Sequence, residues 1–367
     1  MGHIYKRNGK WSYRVSTGKS PQGKRTSKTF SGFSSQRKAM LHMAKTEVAI
    51  ADGTFFTQQI KFSEVVERWQ RNNELRIRKS TRYKYNTNLK VHIIPWFGDK
   101  NISEIKPVDI EDYYYYKIFQ SKKTLSPNTV RDQHKMLKVI FKEAMKLKII
   151  HSNPLDIVSP PRASKPRVNY WDELESKVFL ELAKTERLYP VFLIALTTGM
   201  RKAEILGLRW RDIDIKGKTI SVRQTLNRTG EIEEAKSNSS YRSINISDKV
   251  IDELLVWKQR QDGERDNYDE EHREQNLVIT SIKGTPYSDS NVNRVWFRLL
   301  EKSGLPKIRF HDLRHTHATL LLKEGIHPKI VSERLGHSKI SVTLDIYSHI
   351  IKGIQEVAAE AMDNLLF

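Results

Sequence analysis

Hydrophobic and polar residues alternate near the start of the chain. At residues 10–15 every second residue is apolar, which predicts a β-strand, and residues 26–33 have the composition of a second strand. Residues 18–23 between them are typical of a hairpin turn. A serine at position 34 or 35 is suited to capping a helix that continues to residue 50. The pattern therefore predicts a small sheet followed by one helix.

Between residues 62 and 150 apolar residues recur at every third or fourth position, the spacing of a helix with one buried face. Ser126 and Pro127 form a typical helix start, a capping serine followed by proline in the first turn. Four tyrosines in a row at 113–116 cannot all face one way on a helix, so some are expected to be buried and one or two exposed. The predicted helices are at 63–76, 80–93 and 107–120 and after residue 126.

Beyond residue 170 both patterns occur. Asp172 and Glu175 have the spacing of a capping box, which predicts a helix to about Ala183. Gly199 is expected to end an apolar helix that begins at Pro190. The remaining predicted elements are a helix at 201–208, strands at 219–224 and 241–246, a solvent loop at 262–276, helices from residues 289, 311, 327 and 341, and an amphipathic C-terminal tail.

Four prolines between residues 152 and 170 mark a domain boundary, because proline interrupts helices and stiffens a connection. We therefore predict a multidomain chain that is mainly α with small β-sheets. Its predicted parts are an α+β N-terminal domain at 1–57, a helical domain at 58–155, a linker at 156–170, and a mixed α+β domain with a C-terminal tail at 171–367.

The composition indicates a polyanionic partner. Lysine and arginine number 64 against 43 aspartates and glutamates, a net charge of +21 that favours nucleic acid or an anionic membrane surface. A membrane is the weaker choice, because no apolar run approaches the roughly 20 residues of a spanning helix. The first residues lack an apolar signal segment, and the absence of cysteine fits a cytoplasmic protein. We expect a cytoplasmic protein that associates with the nucleoid DNA.

The first sixty residues are the most basic part, with eleven lysines and arginines against two acidic residues. A β-ribbon fits the major groove of DNA, so this segment is predicted to bind DNA. A solvated basic surface with no reading role is the alternative. The candidate DNA-contact residues are Lys10, Trp11, Tyr13, Arg14, Lys24, Arg25 and Lys28.

The second half of the chain contains residues suited to phosphodiester cleavage. That reaction needs cations at the non-bridging oxygens, a nucleophile in line and a proton for the leaving oxygen. Arginine binds two oxygens with its planar fork and keeps its charge, and histidine transfers protons near neutral pH. A tyrosine nucleophile conserves the bond energy in a phosphotyrosine. The candidates are Arg201, Lys236, His311, Arg314, His337 and, as nucleophile, Tyr347.

The spacing of these residues supports a shared site. His311 and Arg314 are three residues apart on a predicted helix, so both can address one phosphate. Glu204 has the same spacing from Arg201 and is suited to orienting it. Lys236 lies in or beside the connection between two predicted strands, from which it can reach the leaving 5′-oxygen as a general acid. Lys216 and Lys218 are near the same predicted hairpin and are the alternatives for this role.

At these residues the chain resembles the tyrosine recombinase (phage-type integrase) family. The family pattern is an arginine in Thr-Gly-x-Arg-x-x-Glu, a hairpin lysine, His-x-x-Arg, Gly-His and then a nucleophilic tyrosine, and the sequence matches each part. The resemblance implies that the two arginines and two histidines bind and activate the scissile phosphate. It also implies that Lys236 protonates the leaving group and that Tyr347 becomes linked to the DNA 3′-phosphate.

The resemblance also implies an architecture and partners. The three predicted domains resemble the arm-binding, core-binding (SAM-like) and catalytic domains of integrases, and the first of them favours a mobile-element integrase. Family members act on double-stranded DNA at core and arm sites. They work as tetramers that pass through a Holliday junction, with no metal, ATP or other cofactor. Whether a directionality factor or DNA-bending proteins assist stays open.

Three other interpretations fit part of the pattern. A metal-dependent nuclease would use His311, Asp312, His315 and His317, but no carboxylate cluster completes such a site. A DNA-binding or architectural protein with a decayed site is expected to have lost at least one motif residue. A relaxing topoisomerase uses similar chemistry, but the arm-like first domain argues against it.

Overall fold

The chain divides into two units, Met1–Lys165 and Pro166–Phe367. In both of them the described residues are mainly helical with small antiparallel sheets, which confirms the predicted fold class. No helix in the described part of the chain is long and apolar enough to cross a membrane. The computed structural model describes residues 2–19, 25–51, 60–77, 79–164, 168–227, 230–234, 241–267, 276–347 and 354–367.

The first unit begins with a sheet and one helix. Their bounds are β1 (His3–Arg7), β2 (Lys10–Lys19), β3 (Arg25–Phe33) and α1 (Gln36–Ala51). The strands are antiparallel in the order β1, β2, β3, so both predicted strands and the predicted helix are confirmed. Ser35 caps α1, since its Oγ accepts the backbone N–H of Lys38 at 3.3 Å. Residues 20–23 of the predicted turn lie outside the described residues.

One face of this sheet packs against α1. Tyr13 and Val15 of β2 and Ala39 of α1 are buried together. The Tyr13 ring stacks on Phe30, with 5.0 Å between the ring centroids, and its hydroxyl is hydrogen-bonded to Thr46 Oγ1 at 2.8 Å. The alternating apolar residues of β2 therefore form the inner face of the sheet.

The described residues after α1 in the first unit are mainly helical and surround a hydrophobic cluster. Its α-helices are α2 (Phe62–Asn73), α3 (Lys79–Asn88), α4 (Ile94–Phe97), α5 (Pro107–Tyr115) and α6 (Pro127–Lys146), with π-helical segments at Leu89–Ile93 and Tyr116–Gln120. Ser126 caps α6, since its Oγ accepts the backbone N–H of Thr129 at 3.2 Å. Tyr113 and Tyr114 are buried and Tyr115 is exposed, so the expectation for the tyrosine run is confirmed.

The second unit contains nine described helices and five described strands. The helices are α7 (Glu173–Ala183), α8 (Tyr189–Thr198), α9 (Lys202–Leu206), α10 (Asp248–Asn267), α11 (Asp289–Ser303), α12 (Asp312–Lys323), α13 (Pro328–Leu335), α14 (Ile340–Tyr347) and α15 (Ile354–Leu366). The strands are β4 (Ile213–Asp214), β5 (Thr219–Val222), β6 (Gln224–Leu226), β7 (Ile232–Glu234) and β8 (Arg242–Asn245). One sheet has the order β4, β5, β8, and β6 pairs with β7.

The core of the second unit is built around α8. Most of its side chains are buried, because the surrounding helices cover it on several sides. Phe192 of α8 lies within ring-contact distance of Trp296 and Phe310, with centroids 5.9 Å and 6.0 Å away. This packing holds α8 in the core, and the candidate site begins at its C-terminal end.

The prediction of a solvent loop at 262–276 was wrong in its first part. Residues 262–267 continue α10, and residues 268–275 lie outside the described part of the chain. Leu254 and Trp257 are buried on one face of α10, while Arg260 pairs with Glu264 one turn later at 3.2 Å. A charge-rich segment is helical here because its apolar face is anchored and its charges pair along the helix.

The predicted linker is held at both of its described ends. Within the first unit, Arg131 Nη1 donates to the Pro161 carbonyl at 2.7 Å and Asn128 Nδ2 to the Ser164 carbonyl at 2.9 Å. Within the second unit, the backbone N–H of Trp171 donates to Thr316 Oγ1 at 3.0 Å. Residues 165–167 lie outside the described residues.

Candidate active site

A glycine turn brings Arg201 to the site. Helix α8 ends at Gly199, whose φ of 67° is in the left-handed region. A Cβ atom at this position would lie 2.7 Å from Cδ2 of both His317 and Leu335. Both the backbone angle and the close packing therefore require glycine. Two residues later Arg201 occupies the N-cap of α9.

Arg201 is oriented by Glu204, as the spacing predicted. The Glu204 carboxylate accepts the Arg201 backbone N–H at 2.9 Å and its Nη1 at 2.8 Å. Glu204 is only 3% exposed and also pairs with Arg242 of β8, Nη2 to Oε2 at 2.7 Å. Burial raises the pKa of Glu204, but the hydrogen bonds and charge of Arg242 and the charge of Arg201 outweigh it, so the pKa lies below its ordinary value. The carboxylate therefore stays charged between two arginines.

Arg314 connects the two glycine turns of the site. Its side chain is buried, with Nη1 donating to the Gly199 carbonyl at 2.8 Å and Nη2 to the Leu335 carbonyl at 2.6 Å. Gly336, which follows Leu335, ends α13 with a left-handed φ of 66°. Arg314 thus fixes the segment before Arg201 and the segment before His337 to α12.

His311 lies at the N-cap of α12, three residues before Arg314. Its ring meets the His315 ring edge-on, with centroids 5.4 Å apart. Part of His311 is exposed, yet desolvation of the ring and the nearby charges of His315 and Arg314 lower its pKa to about 4. The imidazole is therefore neutral near pH 7, the form that accepts a proton.

His337 follows the Gly336 turn and is held by α14. Its Nδ1 is hydrogen-bonded to Oγ1 of the buried Thr343 at 2.8 Å. Burial, followed by the charges of Arg314 and Arg201, lowers the pKa of His337 to about 4. The same two arginines lower the pKa of His311, so both imidazoles are neutral near pH 7 in the field of two guanidinium groups.

Two predicted residues have side chains that the structure does not describe. Lys236 lies outside the described residues, between β7 and β8. Tyr347 is described as the last residue of α14, four residues after Thr343, but its side chain is outside the described part. Helix α14 therefore carries both the hydroxyl that holds His337 and the candidate nucleophile.

Two residues near the site, Arg242 and Thr343, were missed by the sequence interpretation, whereas His317 appeared there in the metal-binding alternative. Arg242 pairs with Glu204, and Thr343 holds His337. His317 is buried and donates from Nδ1 to the Leu196 carbonyl at 2.8 Å, which fastens α12 to α8. The partners of Arg242 and His317 are distant along the chain, and Thr343 lies six residues after His337 in the next helix, so no helical or strand spacing indicated these contacts.

The metal-binding alternative does not match the geometry. His317 Nδ1 is used by the Leu196 carbonyl, and the Asp312 carboxylate accepts both Arg309 Nε and Nη2, at 3.1 Å and 2.7 Å. Among the described residues no three histidine, aspartate or glutamate side chains form a group that could hold a metal ion.

Comparison with known proteins decides the family. A model of the phage integrase family matches residues 172–353, one of an N-terminal SAM-like phage integrase domain matches 61–118, and one of an arm DNA-binding domain matches 3–50. A tyrosine recombinase XerC-like protein of Caldanaerobacter subterraneus subsp. tengcongensis is 30% identical over 98% of each chain. The chain belongs to the phage integrase family of tyrosine recombinases. The ICEBs1 integrase of Bacillus subtilis is 29% identical over 75% of each chain.

Solved integrase structures share the fold of this recombinase. The Tn1549 transposon integrase in complex with transposon right end DNA has a TM-score of 0.67 and 22% identity, over 82% of this chain and all of that one. A lambda integrase dimer bound to a core site has a TM-score of 0.59 and 19% identity, over 94% of this chain and 93% of that one. These similarities support the fold class.

The N-terminal DNA-contact set of this recombinase needs one correction. Tyr13 is 0% exposed, because the face of β2 that carries it packs on α1, so it is a core residue and not a DNA contact. Trp11 is half-buried against the same cluster, with Lys6 Nζ 5.9 Å from its ring centroid. Lys24 lies outside the described residues. The other members are on the strands and at least partly exposed: Lys10, Arg14, Arg25 and Lys28.

Proposed function

We propose that Arg201, Lys236, His311, Arg314, His337 and Tyr347 are the catalytic residues of this recombinase, with Glu204 orienting Arg201. The enzyme is a site-specific DNA recombinase of the kind that integrates and excises mobile elements. The observation that carries the residue assignment is the pair of hydrogen bonds from Arg314 of α12 to the Gly199 and Leu335 carbonyls, which fixes the segments before Arg201 and His337 to the helix that has His311 at its N-cap.

The proposed reaction is an in-line displacement at phosphorus. The Tyr347 oxygen bonds to the scissile phosphorus and the bond to the 5′-oxygen breaks, which leaves a 3′-phosphotyrosine. His311 takes the tyrosine proton, and Lys236 gives a proton to the leaving 5′-oxygen. The two arginines and His337 stabilise the charge on the non-bridging oxygens. The bond energy is kept in the phosphotyrosine, so rejoining needs neither ATP nor a metal.

We further propose that the four segments predicted above are functional units, with arm binding by residues 1–57, core binding by 58–155, a linker at 156–170 and catalysis by 171–367. A homotetramer would exchange strands in two pairs through a Holliday junction, in line with a lambda integrase tetramer bound to a Holliday junction. The amphipathic tail after Tyr347 is suited to contacts between subunits. Association with nucleoid DNA follows from this function. A directionality factor and DNA-bending proteins are candidate accessory partners.

Arm-site binding is assigned to the basic strands. Arg14 of β2 is exposed and its Nε donates to Ser27 Oγ of β3 at 2.7 Å, so its guanidinium is held on the outer side of the sheet. Lys10, Arg25 and Lys28 add charge on the same strands, and Lys24 and Trp11 complete the proposed set. Positive side chains on a β-ribbon are suited to phosphates along a groove.

The deciding experiment traps the covalent intermediate. Purified protein is incubated with a labelled duplex that carries the joined ends of the mobile element, in chelator and without ATP, and then denatured. We expect a protein–DNA adduct whose peptide mass places a 3′-phosphate on Tyr347. The Tyr347→Phe variant should still bind the duplex but form no adduct, whereas Tyr287→Phe serves as the matched tyrosine control and should form it. Cleavage that depends on added metal and leaves no adduct would refute the proposal.

A further inference from the structure

Arg242 is a buried arginine next to the proposed site. It lies on β8, and its side chain is only 6% exposed. Nη2 and Nη1 donate to Oε2 and Oε1 of Glu204 at 2.7 Å and 3.2 Å, a bidentate pair. The same Glu204 oxygens also hold Arg201. Because Glu204 is almost fully buried, its position depends on both of its arginine partners.

The third nitrogen of Arg242 reaches a different element. Its Nε donates to the backbone carbonyl of Arg334 in α13 at 2.6 Å. The Arg334 side chain returns this contact, with Nη1 on the Asn245 carbonyl of β8 at 3.1 Å and Nη2 on the Thr197 carbonyl of α8 at 3.3 Å. Arg242 and Arg334 thus join strand β8, α13 and the end of α8. Arg334 lies three residues before His337, so these contacts are close to that histidine along the chain.

Only arginine can make these contacts together. A guanidinium has five donors in a rigid plane, so it can bind both oxygens of Glu204 while Nε addresses a carbonyl on another side. Lysine carries the same charge at a single point and cannot span both partners. Leaving Glu204 with one cation would also raise the cost of keeping its carboxylate charged in a buried position.

We propose that Arg242 is a positioning residue for strand cleavage, which holds Glu204 and the end of α13 in one arrangement so that Arg201 and His337 address the same phosphate. It acts through these residues and not on the DNA itself. This assignment rests on the proposed function, since it concerns the geometry of the arginine and histidine pair. It also ties β8, the strand that follows Lys236 along the chain, to the rest of the site.

The test separates DNA binding from chemistry. Arg242→Gln and Arg242→Lys would be compared with the unaltered protein on the labelled duplex that carries the joined element ends. Fluorescence anisotropy gives the dissociation constant for this duplex, and single-turnover adduct formation gives the rate of the chemical step. We expect dissociation constants within about threefold of the unaltered protein. Adduct formation should slow by about a hundredfold in Arg242→Gln, and the rate of Arg242→Lys should lie between those of Arg242→Gln and the unaltered protein.

A second substrate distinguishes positioning from general damage. In a duplex with a methylphosphonate at the scissile position, a methyl group replaces one non-bridging oxygen. The linkage therefore has no negative charge for Arg201 to bind. The deficit of Arg242→Gln should therefore shrink to less than about tenfold on this duplex. An equal deficit on both substrates, or a normal rate on the phosphate, would overturn the assignment.

Arg187→Gln is the matched control. Arg187 is a partly buried arginine of the same unit that pairs with Glu264 and donates to the Thr280 carbonyl, and none of its described contacts is with a site residue. This variant should lose stability but keep the adduct rate on both duplexes. If the unaltered protein forms no adduct, the proposed function itself fails. If it does and the Arg242 variants react normally, only the positioning role fails.

Discussion

Replacing Gly199 by alanine tests whether the glycine turn between α8 and Arg201 is as tightly packed as the structure indicates. The new Cβ would lie 2.7 Å from Cδ2 of His317 and 2.7 Å from Cδ2 of Leu335. Leu335 can rotate its side chain, but the His317 ring is held by its hydrogen bond to the Leu196 carbonyl. The backbone would therefore have to move, and with it the Gly199 carbonyl that accepts from Arg314.

Two effects set the expected loss of unfolding free energy. A left-handed φ costs an alanine roughly 1–2 kcal/mol, and forcing a methyl group into a packed core adds about 1–3 kcal/mol. Gly304 separates the two, because its φ of 64° is nearly the same but a Cβ there meets nothing within 4 Å. Gly304→Ala should therefore show the backbone cost alone, and Gly199→Ala about 1–3 kcal/mol more.

The assay combines denaturant unfolding of both variants with single-turnover adduct formation at a temperature where both are folded. Gly199→Ala should also slow adduct formation by at least about tenfold, because a shift of the Arg314 contact misplaces the phosphate clamp. Gly304→Ala should react at the normal rate. If both variants lose the same free energy and react equally fast, the tight turn is not what positions Arg314.

Three further predictions follow from single contacts. Arg201→Ala should slow adduct formation by about a hundredfold or more while the dissociation constant for DNA changes little, and a near-normal single-turnover rate would contradict its role as a clamp. Burial lowers the pKa of His317 to about 4 from 6.5, so the unfolded chain takes up the proton first. The contribution of neutral His317 to the free energy of unfolding is therefore fully present above about pH 6.5, and it decreases as the pH drops toward 4. Between pH 7 and pH 5 the unaltered protein should lose about 2 kcal/mol more than His317→Gln, and equal slopes of unfolding free energy against pH would disprove this. Arg14→Ala and Lys28→Ala should each reduce the slope of log binding constant against log salt concentration for arm DNA by about one unit. Tyr13→Phe should leave this slope unchanged. If Tyr13→Phe reduced the slope as much as the other two variants, Tyr13 would belong to the DNA-contact set after all.

Local spacing was sufficient to predict most of the helices and strands. Ser126, Asp172 and Gly199 act where their chemistry predicts, at a helix start, in a capping box and at a helix end. The exception was the segment at 262–267, where a high density of charge hid a helix. Its ion pairs stabilise the helix locally, but the buried anchors Leu254 and Trp257 lie earlier along the chain.

The motif spacing also predicted the candidate residues of the site, because phosphodiester cleavage requires particular functional groups. It could not say which face of β2 is buried: alternation groups Trp11, Tyr13 and Val15 on one side, but only packing against α1 makes that side the core. For the same reason Tyr13 was mistaken for a DNA contact.

What only the tertiary structure decided is how the site residues are held. Arg242 meets Glu204 across 38 residues of sequence, and His317 meets Leu196 across 121. Hydrogen bonds of this kind form only after helices and strands have packed, so their partners leave no periodic signal in the chain. The sequence by itself determined most of the elements and the candidate reactive groups, and the packing around α8 determined how the described ones among those groups are held.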